Sequence, residues 1–226
     1  MPQNVNMGQK TMQRSTKEWE ITCDRQTFAK VRKEGKFPYI VALARAVNAL
    51  NAVHSLLLSS PKNETPERVR NGMNSFFFAS SLLYEGLSLI RKMNRVFADD
   101  VGFQNGLRML LKDPVARKIE QSHLNPARNR AVFHFLPDEF KKAISKAADD
   151  RNVFIVAMGK KRRALHYAYA DVLAAEMLVG MPSDNPEFWH TFKNAAKETV
   201  DLLIKFANDA ENLIGDYLKA TGFKRE

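Results

Sequence analysis

The sequence predicts an all-α helical bundle, and three observations carry that reading. Apolar residues recur at three- and four-residue spacing along most of the chain, the pattern of amphipathic helices. Only ten glycines interrupt its 226 residues. No internal repeat or low-complexity linker divides it, so one all-α domain over residues 17–226 is expected, after a disordered polar segment at 1–16. At 45% hydrophobic, the chain has the apolar surface for a buried core.

The elements follow in order. A short helix over Gln26–Glu34 stops at Gly35, ahead of Pro38. The run 39-YIVALARAVNALNAVHSLLLSS-60 reads as a long apolar helix closed by Ser-Ser-Pro. In 65-TPER-68, Thr65 is an N-cap and Pro66 the first helical residue of a helix reaching about Arg95. Shorter helices are expected at Gln104–Lys112, Val115–Ser122, Pro126–Leu136 and Asp138–Ala148. The β-branched run 153-VFIVAMG-159 fits either a short extended segment near 153–158 or a hydrophobic helix turn. Two helices, Arg162–Val179 and Pro186–Leu218, close the chain on either side of 180-GMPSDNP-186.

Composition narrows the function classes. Cys23 is the only cysteine, which excludes an intramolecular disulfide framework and a multi-cysteine zinc site; it reads as an inert thiol. The first twenty residues are polar and no apolar run is long enough to span a bilayer, so a soluble, cytoplasmic protein without membrane contact is expected. Lys+Arg exceed Asp+Glu by 35 to 25, a formal charge of +10 that favours polyanionic partners. The cations concentrate at 30-KVRKEGK-36, along Arg108–Arg130 and at 160-KKRR-163. A Gly-rich phosphate loop, HExxH and G-x-S-x-G are all missing from the sequence.

The stretch 125-NPARNRAVFHF-135 sets two arginines, two asparagines and a histidine among Val132, Phe133 and Phe135. Histidine titrates near neutrality and can move a proton, while arginine offers a permanent fork of donors to a phosphate. Six positions along an ideal helix turn through about 240° and rise about 9 Å, so Arg128 and His134 do not share a stripe. Arg130 and His134, at i and i+4, do. Asn125-Pro126 reads as a helix start, which would leave Arg128 in a first turn whose free N–H groups also attract phosphate. Earlier in the chain, Phe78, Leu82, Glu85, Leu89 and Lys92 or Met93 follow the three-and-four rule. Glu85 is thereby expected among apolar neighbours, where an ionised carboxylate needs a partner.

The motif 128-RNRAVFH-134 resembles the HEPN family, all-helical domains that include many metal-independent ribonucleases of toxin–antitoxin, abortive-infection and CRISPR-associated systems. The family pattern is Arg, often followed by Asn, Asp or His, then His after four to six residues. Here Arg128, Asn129 and His134 fit it, within a motif region of about residues 65–148. The resemblance implies a cleft built by a homodimer, so that two histidines and two arginines share it. In it His134 is the general acid or base and Arg128 contacts the scissile phosphate. Asn129 orients Arg128, and Arg130 and Glu85 support it. It implies RNA as partner, a possible antitoxin or nucleotidyltransferase-like protein, and no cofactor or metal.

Other readings stay open. His134 could be structural, with solvated arginines, and Glu85 a snorkelling or dimer-facing acid. The chain would then be a non-catalytic helical module that binds nucleic acid or protein. Lys160, Lys161, Arg162 and Arg163 form either a solvated turn or a nucleic-acid-binding strip. A ferritin-like di-iron protein is the third class, because Glu85, 120-EQSH-123, Glu176 and 187-EFWH-190 reproduce its ligand order. Spacing opposes it: Glu176 stands close to Glu187, and 180-GMPSDNP-186 breaks the helix between them. Glu187 reads better as a first-turn acid. His54 reads as a core or interface histidine and His166 as part of a basic helix face. Phe76–Phe78 and Trp189 read as packing residues.

Overall fold

A computed structural model describes residues 21–58, 66–132, 137–145 and 168–225. The fold is all-α. Besides helices and turns, the described residues hold one two-residue antiparallel pairing, β1 (Ile21–Thr22) with β2 (Lys224–Arg225), which ties residues 224–225 to the segment just before the first helix. The expectations for residues 1–16 and 153–158, and for Thr65 as a cap, lie outside the described residues.

Helix starts follow local chemistry. In α1 (Arg25–Val31) the Asp24 side chain accepts from the Thr27 N–H at 2.7 Å. The next helix, α2 (Phe37–Leu58), begins two residues earlier than expected, because Pro38 lies in the first turn, where its missing N–H costs nothing. Pro66 opens α3 (Pro66–Val96), as the sequence suggests. The expected 104–112 helix is two pieces, α4 (Val101–Asn105) and α5 (Leu107–Lys112). Gly106 separates them at a point where a Cβ would lie 3.1 Å from the Gly102 carbonyl. Asp113 then caps α6 (Pro114–Ile119), accepting from the Val115 N–H at 2.9 Å. Lys205, 3.0 Å away, holds the Asp113 carboxyl below its ordinary range, with the cap adding to the effect.

One correction concerns residues 114–132. The two helices expected there are a single continuous one, α6 running on through π-helical turns at Glu120–Leu124 and Ala127–Val132. Asn125 is helical, at φ −63° and ψ −47°, and donates its N–H to the Glu120 carbonyl. Pro126 is the physical reason for the distortion. A proline inside an α-helix removes one i→i−4 bond and crowds the carbonyl behind it, and a widened π turn relieves both. Arg128 is therefore mid-helix rather than in a first turn, and the expectation that free N–H groups there attract phosphate falls.

Short α7 (Pro137–Ile144) precedes α8 (Ala168–Val179), which Gly180 ends at φ +80°, and the 33-residue α9 (Phe188–Ala220). The larger hydrophobic cluster joins Leu43, Val47 and Leu50 of α2, Leu83, Leu87, Ile90 and Met93 of α3, and Leu203, Phe206 and Leu213 of α9. The second cluster gathers Phe76 and Phe77, Ala174, Ala175 and Leu178 of α8, and Phe188 and Phe192. Leu124 belongs to the first and Ala127 to the second, so the π-distorted helix spans both. Among the described residues no helix is long and apolar enough to cross a membrane.

At the far end of α9, Tyr217 is buried and donates its O–H to Glu34 Oε2 at 2.7 Å. Burial, then the Glu34 carboxylate, push its phenol well above the ordinary range. The folded state therefore keeps this proton at a pH where the unfolded chain loses it. The contribution is fully present below the unfolded phenol's pKa of about 10 and is lost as pH rises beyond it. Thermal melts should show this alkaline loss of stability, and Tyr217→Phe should make it shallower. An unchanged slope in the variant would remove Tyr217 from the account.

Candidate active site

Two ion pairs stitch α3 to the antiparallel helix of residues 114–132. Arg91 donates to both carboxylate oxygens of Glu120, at 2.6 and 2.5 Å. Nearly two turns back along α3, Glu85 Oε1 accepts from Arg128 Nε at 2.9 Å. The fold thus brings together two of the residues singled out in sequence. The Arg128 side chain is 27% exposed and that of Glu85 55%, so the pair sits at a rim that solvent and a ligand can reach. At that exposure the pair itself contributes about 0.2–1 kcal/mol to stability.

The surroundings of Glu85 differ from expectation. It is an exposed residue rather than one enclosed by apolar side chains, and Phe78 on the same stripe is 41% exposed. The buried stripe of α3 is instead Ala79, Leu83, Leu87, Ile90 and Met93. Small residues decide this. Ser80, Ser81 and Gly86 are buried and let neighbouring helices approach, and a Cβ on Gly86 would lie 2.8 Å from the Phe206 ring.

Asn129 is exposed and its amide bonds the Asn125 side chain one turn back. His134, the side chain of Arg130, and Lys160, Lys161, Arg162 and Arg163 lie outside the described residues, as does His166. His123, one π turn before Arg128, has Nε2 3.6 Å from Glu198. Its Nδ1 is buried with no hydrogen-bond partner among the described residues.

The residues of the ferritin-like order are dispersed. Glu85 holds Arg128, Glu120 holds Arg91, Glu176 accepts from the Ser183 N–H at 2.7 Å, and His190 contacts Asn194. Among the described residues, no three His, Cys, Asp or Glu side chains group as metal ligands would. His54 is half-buried and lines an apolar cavity of about 390 Å³ with Phe76, Phe192 and Leu203. Phe76 and Phe77 are core residues, whereas Trp189 packs edge-on to Phe188 and stays 43% exposed.

Sequence reasoning missed a basic groove of about 560 Å³ lined by Tyr39, Ser88, Arg91, Lys92, Arg95 and Val96. The signal was present in 91-RKMNR-95, three cations near the end of a long helix. What makes it a groove is Tyr39 from α2, which sequence spacing does not reveal. Comparison with known proteins gives no match: no protein-family model, curated protein or solved structure matches this chain.

Proposed function

We propose that this protein is a HEPN-like, metal-independent endoribonuclease of the toxin or defence type, acting in the cytoplasm as a homodimer. The Arg128–Glu85 bond is the observation that most supports this reading. It fixes the arginine of the R-N…H motif on a helix packed into both hydrophobic clusters, at an exposed rim. A guanidinium presents its N–H donors in a fixed planar fork, the geometry that recognises a phosphate.

In the proposed reaction an RNA 2′-oxygen attacks the adjacent phosphorus while His134 takes its proton. The bond from phosphorus to the 5′-oxygen breaks, and that oxygen leaves with a proton from a second imidazole. Arg128 offsets the charge on the phosphorane. One chain has a single such His–Arg set, so the cleft is completed by a second copy meeting along the helix that carries Arg128. Phe78 and the partly exposed Leu82 and Leu89 supply apolar surface on the Glu85 stripe for that contact. Arg130 supports Arg128, and Lys160, Lys161, Arg162 and Arg163 hold the RNA backbone. An antitoxin or nucleotidyltransferase-like protein would restrain the activity.

A non-catalytic nucleic-acid-binding module is the second reading, favoured by the basic groove on α3. Initial rates on structured RNA separate the two. Arg128→Ala should lower cleavage about 10²–10³-fold, the magnitude for removing one preorganised donor from a developing charge. Equal rates for folded wild type and variant would refute the assigned role of Arg128.

A further inference from the structure

We infer that the groove between the start of α2 and the last turns of α3 binds a single strand of RNA, with phosphates on Lys92 and Arg95 and a base stacked on Tyr39. The choice of RNA over DNA rests on the proposed nuclease function; the groove itself rests on its own residues.

Three observations combine. First, Lys92 and Arg95 are exposed, one turn apart, and neither has an ion-pair partner among the described residues. Two charges near them are paired elsewhere: Arg91 with Glu120, and Asp100 with Lys36 at 3.4 Å. A phosphate can therefore meet two cations that form no ion pair among the described residues. Second, Tyr39 is partly exposed and held T-shaped against Phe97, with ring centroids 6.4 Å apart. A fixed, accessible aromatic ring beside cations is the combination that binds unpaired nucleotides, because every base has a face to stack and a duplex hides it. Third, Glu85, Ser88, Lys92 and Arg95 stand at i, i+3, i+7 and i+10 on α3, a stripe about 15 Å long. One strand can run from the Arg128–Glu85 rim into the groove.

A second basic groove among the described residues decides the choice by contrast. It has about 540 Å³ lined by Pro114, Arg117, Lys118, Gln121 and Ser122, with no aromatic side chain. Arg117 there already donates to the Leu111 carbonyl at 2.7 Å.

The test is fluorescence anisotropy with a labelled single-stranded RNA of about twelve nucleotides, using the full chain with His134→Ala so that the probe survives. Adding Lys92→Ala and Arg95→Ala should weaken binding at least about tenfold. It should also flatten the log affinity–log salt slope by about 1.4, the share of two phosphates on a single strand. Tyr39→Phe should bind like its parent and Tyr39→Leu about fivefold or more weakly, as loss of one stacked base requires. Lys193→Ala/Lys197→Ala, near the start of α9 and outside the groove's lining, should change nothing. Unchanged binding in the Lys92/Arg95 variant, or equal competition by the matching duplex, would overturn the assignment. The two proposals fail separately. Arg128-dependent cleavage with groove-independent binding removes the groove alone; groove-dependent binding without cleavage by wild type removes the nuclease alone.

Discussion

His134→Ala should lower the rate of RNA cleavage about 10²–10⁴-fold, the usual share of a positioned general acid or base. The wild-type rate should change with pH across the range where an imidazole titrates, and the residual rate of the variant should not. His134→Asn, which keeps a polar side chain of similar size but cannot cycle a proton near neutrality, should be as slow as the alanine variant. Were the asparagine variant to cleave like wild type, His134 would be a structural residue. Near-wild-type cleavage by His134→Ala would exclude it from catalysis altogether. Because two copies share the proposed cleft, the rate should also fall faster than in proportion as protein is diluted through the dimer's dissociation range.

Phe206→Ala should cost about 3–5 kcal/mol of folding free energy, read from the denaturant midpoint. The ring is fully buried on α9 and belongs to the cluster that joins α2, α3 and α9. Its tip fills the notch left by Gly86, where an added Cβ would meet Cζ at 2.8 Å and Cε2 at 2.9 Å. Gly86→Ala alone therefore sets an overpacking cost of about 1–3 kcal/mol against a helix-propensity gain of about 1 kcal/mol. In the Phe206→Ala background the clash is gone and only the gain remains, so the double variant should be more stable than Phe206→Ala alone. Strict additivity would show that the two groups do not touch. Gly86 adjoins Glu85, so this contact also fixes where α3 presents the carboxylate that holds Arg128.

Much of the helical frame was legible in the sequence, because prolines, caps and apolar periodicity act locally. Pro66 and the end of α8 ahead of 180-GMPSDNP-186 are read from a few residues each and fall where expected, whereas α9 begins at Phe188, two residues after the expected Pro186, and leaves Glu187 outside its first turn. What was not legible depended on distant partners. In 76-FFFASSLLYEGLSLI-90 two stripes satisfy the three-and-four rule, and only the approach of Phe206 to Gly86 selects the buried one. Asn125-Pro126 looks like a helix start in isolation; within residues 114–132 a π turn absorbs the proline instead. The sequence offers Glu85 as a carboxylate to hold Arg128 or Arg130, though the argument from an apolar environment was not the right one: Glu85 is exposed and within reach of Arg128. The groove needed Tyr39 from another helix beside three cations, a juxtaposition that no local pattern encodes.

The central claim, that Arg128 and His134 serve RNA cleavage without a metal, is tested most directly by the ends of the products. Wild-type protein should cleave structured RNA in excess chelator and leave 2′,3′-cyclic phosphates, since the attacking oxygen comes from the RNA itself. No cleavage by the folded dimer in chelator, or cleavage that leaves only 3′-hydroxyl ends, would contradict it.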